Sequence, residues 1–131
     1  MDDDMLELAA PVLLIDDNED SRVVYRTMLA HAGIEVVTLS DGGDGLQVAR
    51  AVKPSVIVLD VGVPATSGLE VVQELRNDSS LAETTVIALT ASVLKEEQQQ
   101  LADAGCNAVL MKPTEPTTVL SAVVDAIAKL A

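Results

Sequence analysis

The chain has no tryptophan and no phenylalanine, and Tyr25 is its one aromatic residue, 1% of 131 positions. A core without aromatic rings must be packed from Val, Leu, Ile, Ala and Met. Hydrophobic residues make up 49%, enough for a sizeable one. A single cysteine, Cys106, excludes an internal disulfide. It reads as a small packing residue in a reduced compartment. Basic residues are scarce: 8 Lys and Arg face 21 Asp and Glu, for a net charge of −13. That balance makes nucleic acid and anionic lipid poor partners. No apolar run is long enough to cross a bilayer. The opening Met1-Asp2-Asp3-Asp4 carries no basic region and no signal-peptide pattern. One cytoplasmic domain is therefore expected, with residues 1–10 an acidic arm and residues 11–131 the folded unit.

What is present is a repeated alternation. Short runs rich in Val and Ile are separated by helical patterns, and several of them stop at a polar residue. Leu13-Leu14-Ile15 leads into Asp16-Asp17, and Val56-Ile57-Val58-Leu59 into Asp60. Val86-Ile87-Ala88-Leu89 leads into Thr90, and Val109-Leu110-Met111 into Lys112. Such runs read as buried parallel strands. With a further strand over residues 35–39, the pattern is strand then helix, five times. Right-handed crossovers place helices on both faces of a five-stranded parallel sheet.

The helices have readable limits. The first is expected from Asn18 or Glu19 to Gly33, with Val24, Met28 and Ala32 inward and Leu29 beside them. Asp41 can cap the second, which holds Leu46, Val48, Ala49 and Val52 and stops before Pro54. Ser67 can cap the third, which carries Leu69, Val72 and Leu75. The fourth is expected from about Val93 to Ala104, stopping at Gly105. The fifth begins at Pro116, a good first-turn residue. Val119, Leu120, Val123, Val124, Ile127 and Leu130 recur along it at helical spacing.

Ligand sites in parallel sheets form outside the carboxyl ends of the strands. The polar residues at the strand ends therefore converge: three carboxylates, a hydroxyl and an ammonium. Like charges held close raise one another's pKa or recruit a cation. Mg²⁺ suits oxygen ligands with retained waters. No His or Cys accompanies the cluster, which argues against zinc. Lys112 brings a point charge and Thr90 a hydroxyl for phosphoryl oxygens. Asp60, at the end of the middle strand, can act as a nucleophile toward phosphorus while a metal neutralises charge.

In these motifs the sequence resembles the receiver domain of two-component response regulators, the family of the chemotaxis regulators. The resemblance runs from about Pro11 to Leu130. It rests on Ile15-Asp16-Asp17, Leu59-Asp60, Pro64, Gly68, Leu89-Thr90-Ala91, Ala104-Gly105 and Lys112-Pro113. It implies a doubly wound, flavodoxin-like sheet of order 2-1-3-4-5 with five helices. It implies that Asp60 accepts a phosphoryl group from a histidine kinase or a histidine phosphotransfer protein, and that an output partner reads the result. It further implies Mg²⁺ on Asp17, Asp60 and the backbone carbonyl of Gly62, with Asp16 reaching it through water. Thr90 and Lys112 would contact the phosphoryl oxygens, and the bond before Pro113 would be cis. In this family the side chains two past the Asp and two past the Thr gate water; here they are Gly62 and Ser92.

Some positions depart from the family pattern. Val109 stands where many receivers carry Tyr or Phe, so the usual aromatic rotamer switch cannot operate. Val63 replaces a common Met, Ser67 a frequent Asp, and Thr114 an apolar residue. None of these removes a phosphorylation residue. A receiver excised from a larger regulator or a hybrid kinase would carry the same motifs. A Mg²⁺-dependent phosphohydrolase of the haloacid dehalogenase type needs a second Asp two residues after the nucleophile, where this chain has Gly62. A flavodoxin-like cofactor binder needs a first loop of Ser, Thr and Gly, but Asp16-Asp17-Asn18-Glu19-Asp20 would repel a phosphate without metal. Nor is there an aromatic ring to stack on a flavin. His31 reads as an exposed residue near a helix C-terminus. The Glu96–Gln100 run is either a solvent face or a partner surface.

Overall fold

The computed structural model describes residues 11–62 and 67–129. In chain order these form β1 (Val12–Ile15), α1 (Glu19–His31), β2 (Val36–Leu39), α2 (Gly42–Val52), β3 (Val56–Asp60) and α3 (Gly68–Asn77). After a short 3₁₀ turn (Ser79–Leu81) come β4 (Thr85–Thr90), α4 (Lys95–Ala104), β5 (Ala108–Met111) and α5 (Pro116–Ala128). The strands pair in parallel in the order β2-β1-β3-β4-β5. β1 and β3 are buried along their whole length, which is why their sequences are apolar at every position rather than alternating.

Alternation instead sorts the side chains into two cores. Val12, Leu14, Val56, Val58, Ile87 and Leu89 pack with Tyr25 and Leu29 of α1 and with Val119, Val123 and Ile127 of α5. Leu13, Ile15, Ile57, Leu59 and Val86 face Leu46 and Ala49 of α2 and Val71, Val72 and Leu75 of α3. Cys106 packs at the rim of this second core. Burial pushes its thiol up to about 11, so it is a packing residue and a poor nucleophile.

The caps follow the expected chemistry. Asn18, Asp41 and Ser67 each accept a backbone N–H from the first turn of α1, α2 and α3. Gly33 and Gly105 take positive φ values of 83° and 122° just past α1 and α4.

Three helical expectations need correction. Val24 is 48% exposed, and the inward stripe of α1 is Tyr25 and Leu29, with Met28 and Ala32 at its margin. Two adjacent valines beside Tyr25 allow the 3.6 period to be read one position early, and ring volume decides which register is buried. On α3 the deep residue is Val71, while Leu69 is only half-buried. α4 begins at Lys95, because Ser92 Oγ accepts the Leu94 N–H at 3.2 Å and delays entry into the helix. Val93 and Leu94 are left exposed at its head. Val52 and Val124 are also exposed at the edges of their stripes. The 3₁₀ turn, which buries Leu81, was not expected. Residues 1–10, Val63, Pro64 and Leu130 lie outside the described residues.

Candidate functional site

Strand register brings the polar strand ends to one edge. Ile15 pairs with Leu59, so Asp16 arrives level with Asp60. Asp60 pairs with Leu89 and Thr90 with Met111, so Thr90 and Lys112 follow at the next two strand ends. One carboxylate oxygen from each of Asp16, Asp17 and Asp60 lies within 4.8 Å of the others. Asp16 and Asp60 are buried, and Asp17 is exposed.

Each group is held locally. Asp60 Oδ2 accepts from Lys112 Nζ at 2.6 Å, and its Oδ1 accepts from the Gly62 N–H at 3.0 Å. Asp16 Oδ1 accepts from the Asn18 N–H at 2.9 Å. Asp16 Oδ2 has no hydrogen-bond partner among the described residues. The Thr90 hydroxyl accepts from the Ser92 N–H at 3.1 Å, and the Lys112 N–H donates to the Thr90 carbonyl at 2.7 Å. The Lys112–Pro113 peptide is cis. Gly68 opens α3 beside the site because a Cβ there would overlap Val61.

The electrostatics is frustrated. Burial raises the Asp16 carboxyl above its ordinary pKa; the Asn18 N–H pulls it back, and the neighbouring Asp60 charge raises it again. For Lys112, burial works against the charged form, but its hydrogen bond to Asp60 and the two carboxylates outweigh burial and hold its pKa up. One ammonium thus faces three carboxylates. The all-oxygen donor set, with a buried carboxylate oxygen left unsatisfied, fits a hard divalent cation.

Some contributors had no sequence signal. Arg22 Nη1 donates to the Asp16 carbonyl at 2.7 Å and pins the acidic loop to the first turns of α1. Gln98 of α4 donates to the Ser92 carbonyl at 3.0 Å. Their partners are backbone atoms, which the side-chain pattern does not announce. His31 is exposed in the last turn of α1 and stands apart from the acidic cluster.

The response regulator receiver domain profile matches residues 12–124. The chain belongs to this family. It is 33% identical over 102 residues to the polar-differentiation response regulator DivK of Brucella anthropi, covering 78% of this chain and 83% of that one. Its fold superposes on the chemotaxis response regulator CheY4 of Vibrio cholerae with a TM-score of 0.83 and 32% identity, over 90% and 98% of the two chains. It also matches the receiver domain of a Pseudomonas aeruginosa sensor histidine kinase, solved with a magnesium ion coordinated in its active-site cleft. That match has a TM-score of 0.82 and 26% identity, over 92% of this chain and 98% of that one. The protein is thus a receiver of two-component signalling with the five-stranded order expected of its family. Among the described residues no helix is long and apolar enough to cross a membrane.

Proposed function

We propose that this receiver is a phosphoacceptor switch in which Asp60 takes a phosphoryl group from the phosphohistidine of a histidine kinase or phosphotransfer protein. The observation that carries the reading is the buried Asp60 carboxylate, held by Lys112 Nζ at 2.6 Å, beside an Asp16 oxygen that has no donor among the described residues. An Asp60 carboxylate oxygen forms the bond to phosphorus as the P–N bond of the donor breaks, and the imidazole leaves with its electron pair. Asp16, Asp17, Asp60 and the Gly62 carbonyl would hold Mg²⁺, which would supply charge neutralisation for a transferring phosphoryl group. Lys112 holds and orients the Asp60 carboxylate before transfer, and its ammonium then turns to a phosphoryl oxygen. Among the described residues the Thr90 oxygen accepts from the Ser92 N–H and its O–H has no acceptor, so that O–H can donate to another phosphoryl oxygen. The Gly62 N–H bond fixes the Asp60 rotamer and so its line of attack.

One neighbouring reading fares worse, and another is chemically equivalent. A phosphohydrolase of the haloacid dehalogenase type would need an acid at residue 62, where there is only hydrogen. A receiver belonging to a larger regulator or hybrid kinase would do the same chemistry with a tethered output.

Acetyl phosphate or beryllofluoride with Mg²⁺ should modify the wild type and leave Asp60→Asn unmodified. Intact mass and fluorine NMR read the two adducts. A stable adduct on the Asn variant would remove Asp60 from its role.

A further inference from the structure

The site is joined to the edge strand by a side-chain path that runs through α4. Thr90 Oγ1 accepts the Ser92 N–H at 3.1 Å. The Ser92 carbonyl accepts Gln98 Nε2 at 3.0 Å. The same Nε2 lies 3.7 Å from Met111 Sδ on β5. Both neighbours of that nitrogen are acceptors, so the amide orientation is dictated by its surroundings.

The ends of the path differ in character. Thr90 is buried in the site. Met111 is half exposed at the end of β5, and Val93 and Leu94 are exposed at the head of α4, the helix that carries Gln98. α4 itself is weakly held at its head: Leu94 provides no side-chain cap, and Leu101 is the helix's one buried residue. A short, uncapped helix end of this kind moves at low cost. Val109, with no polar atom and no long arm, cannot link the site to the surface.

We infer that Gln98 is the positioning residue that couples occupancy of Asp60 to the Met111, Val93 and Leu94 surface. This rests on the phosphoacceptor reading above. An anion on Asp60 attracts the Thr90 O–H. As Thr90 turns toward it, the Ser92 peptide loses the geometry that orients its carbonyl. The Gln98 amide then gives up Ser92, Met111, or both, and the Met111 thioether repacks. Backbone pairing alone moves Met111 little, because Thr90 and Met111 are register partners on neighbouring strands and the Lys112 N–H to Thr90 carbonyl bond just past β5 holds them there.

Methyl NMR of methionine-labelled protein tests this. The chain has four methionines, and Met111→Leu assigns the relevant signal. Beryllofluoride with Mg²⁺ should shift the Met111 methyl resonance in wild type. In Gln98→Ala the shift should be largely lost, although fluorine NMR still shows the adduct on Asp60. Gln98→Glu, which keeps length but replaces the donor with a carboxylate, should behave like the Ala variant. Thermal melts check that both fold. A Met111 shift of wild-type size in folded Gln98→Ala, or no shift in wild type despite a bound adduct, overturns the coupling role. No adduct on wild type at all would instead overturn the phosphoacceptor reading.

Discussion

Asp16 carries the clearest conflict at the residue scale. Its folded-state carboxyl sits above the ordinary value of 3.8, chiefly through burial, with the Asp60 charge adding to it. Between the unfolded and folded values the native state binds more protons than the unfolded chain. Stability of the metal-free protein therefore falls as pH rises through that window, and stays lower above it. Asp16→Asn keeps an oxygen for the Asn18 N–H and removes the charge. Its melting temperature without metal should exceed that of wild type at pH 8, and the gap should close toward pH 4. A gap that does not change with pH would mean that Asp16 is not under charge strain. Gly62 permits a second test. A Cβ there would sit 3.4 Å from Asp60 Oδ1, in ordinary contact, and the backbone at 62 has no positive φ. Among the described residues a Cβ at this position meets nothing closer, and it stands beside the acceptor. Gly62→Asn and Gly62→Glu should change the dephosphorylation rate, by orienting or excluding water, and leave Mg²⁺ affinity nearly unchanged. Loss of phosphoprotein with time and calorimetric Mg²⁺ titration separate the two effects.

At the scale of elements, Arg76 joins pieces that the sheet alone leaves separate. From α3 it donates twice to the Gly105 carbonyl, at 3.0 and 2.9 Å, and once to Asn107 Oδ1 at 2.9 Å. Longer bonds of 3.3 Å reach the carbonyls of Leu81 and Ala82. Asn107 Oδ1 also accepts the Val86 N–H at 2.8 Å, so the 3₁₀ turn, the end of α4 and the start of β4 share one clamp. Arg76→Ala takes the side-chain donor from the Gly105 and Ala82 carbonyls, while Leu81 keeps the Thr84 N–H, and should cost about 2 kcal/mol in urea unfolding. Arg50 is the control. Its ion pairs with Glu74 and Asp78, at 3.3 and 3.6 Å, are partly exposed, and Arg50→Ala should stay within about 0.5 kcal/mol of wild type. Equal losses would deny Arg76 its clamping role. None of this was legible beforehand, because an arginine in the last turn of a helix reads equally as a solvated charge. Strand ends and caps were legible, because Asp, Ser and Asn at those places each serve a backbone donor next to them in sequence.

For the whole molecule, a net charge of −13 acts with the local cluster. Added salt should stabilise the fold modestly by screening. Mg²⁺ should do more, because binding the native state alone adds stability by linkage. At about 100 times its Kd the gain is roughly 2.7 kcal/mol. Melting temperature should therefore rise more in MgCl₂ than in NaCl of equal ionic strength, and Asp17→Asn should shrink the difference. Matching responses in the two salts would argue against a specific cation site.

The sequence by itself determined the alternation of strand and helix, two of the N-caps, the two glycine stops and the residue types gathered at the strand ends. Each depends on periodicity or on a hydrogen bond to a near neighbour, so each is written locally. Tertiary structure decided the rest. Packing volume chose Tyr25 over Val24 as the inward residue of α1. A turn at Ser92 set the start of α4. Register placed Lys112 Nζ 2.6 Å from Asp60, and the crowding of buried carboxylates left one Asp16 oxygen without a donor among the described residues. Long-range contacts of this kind depend on where two distant segments stop relative to each other, and only the assembled sheet sets that.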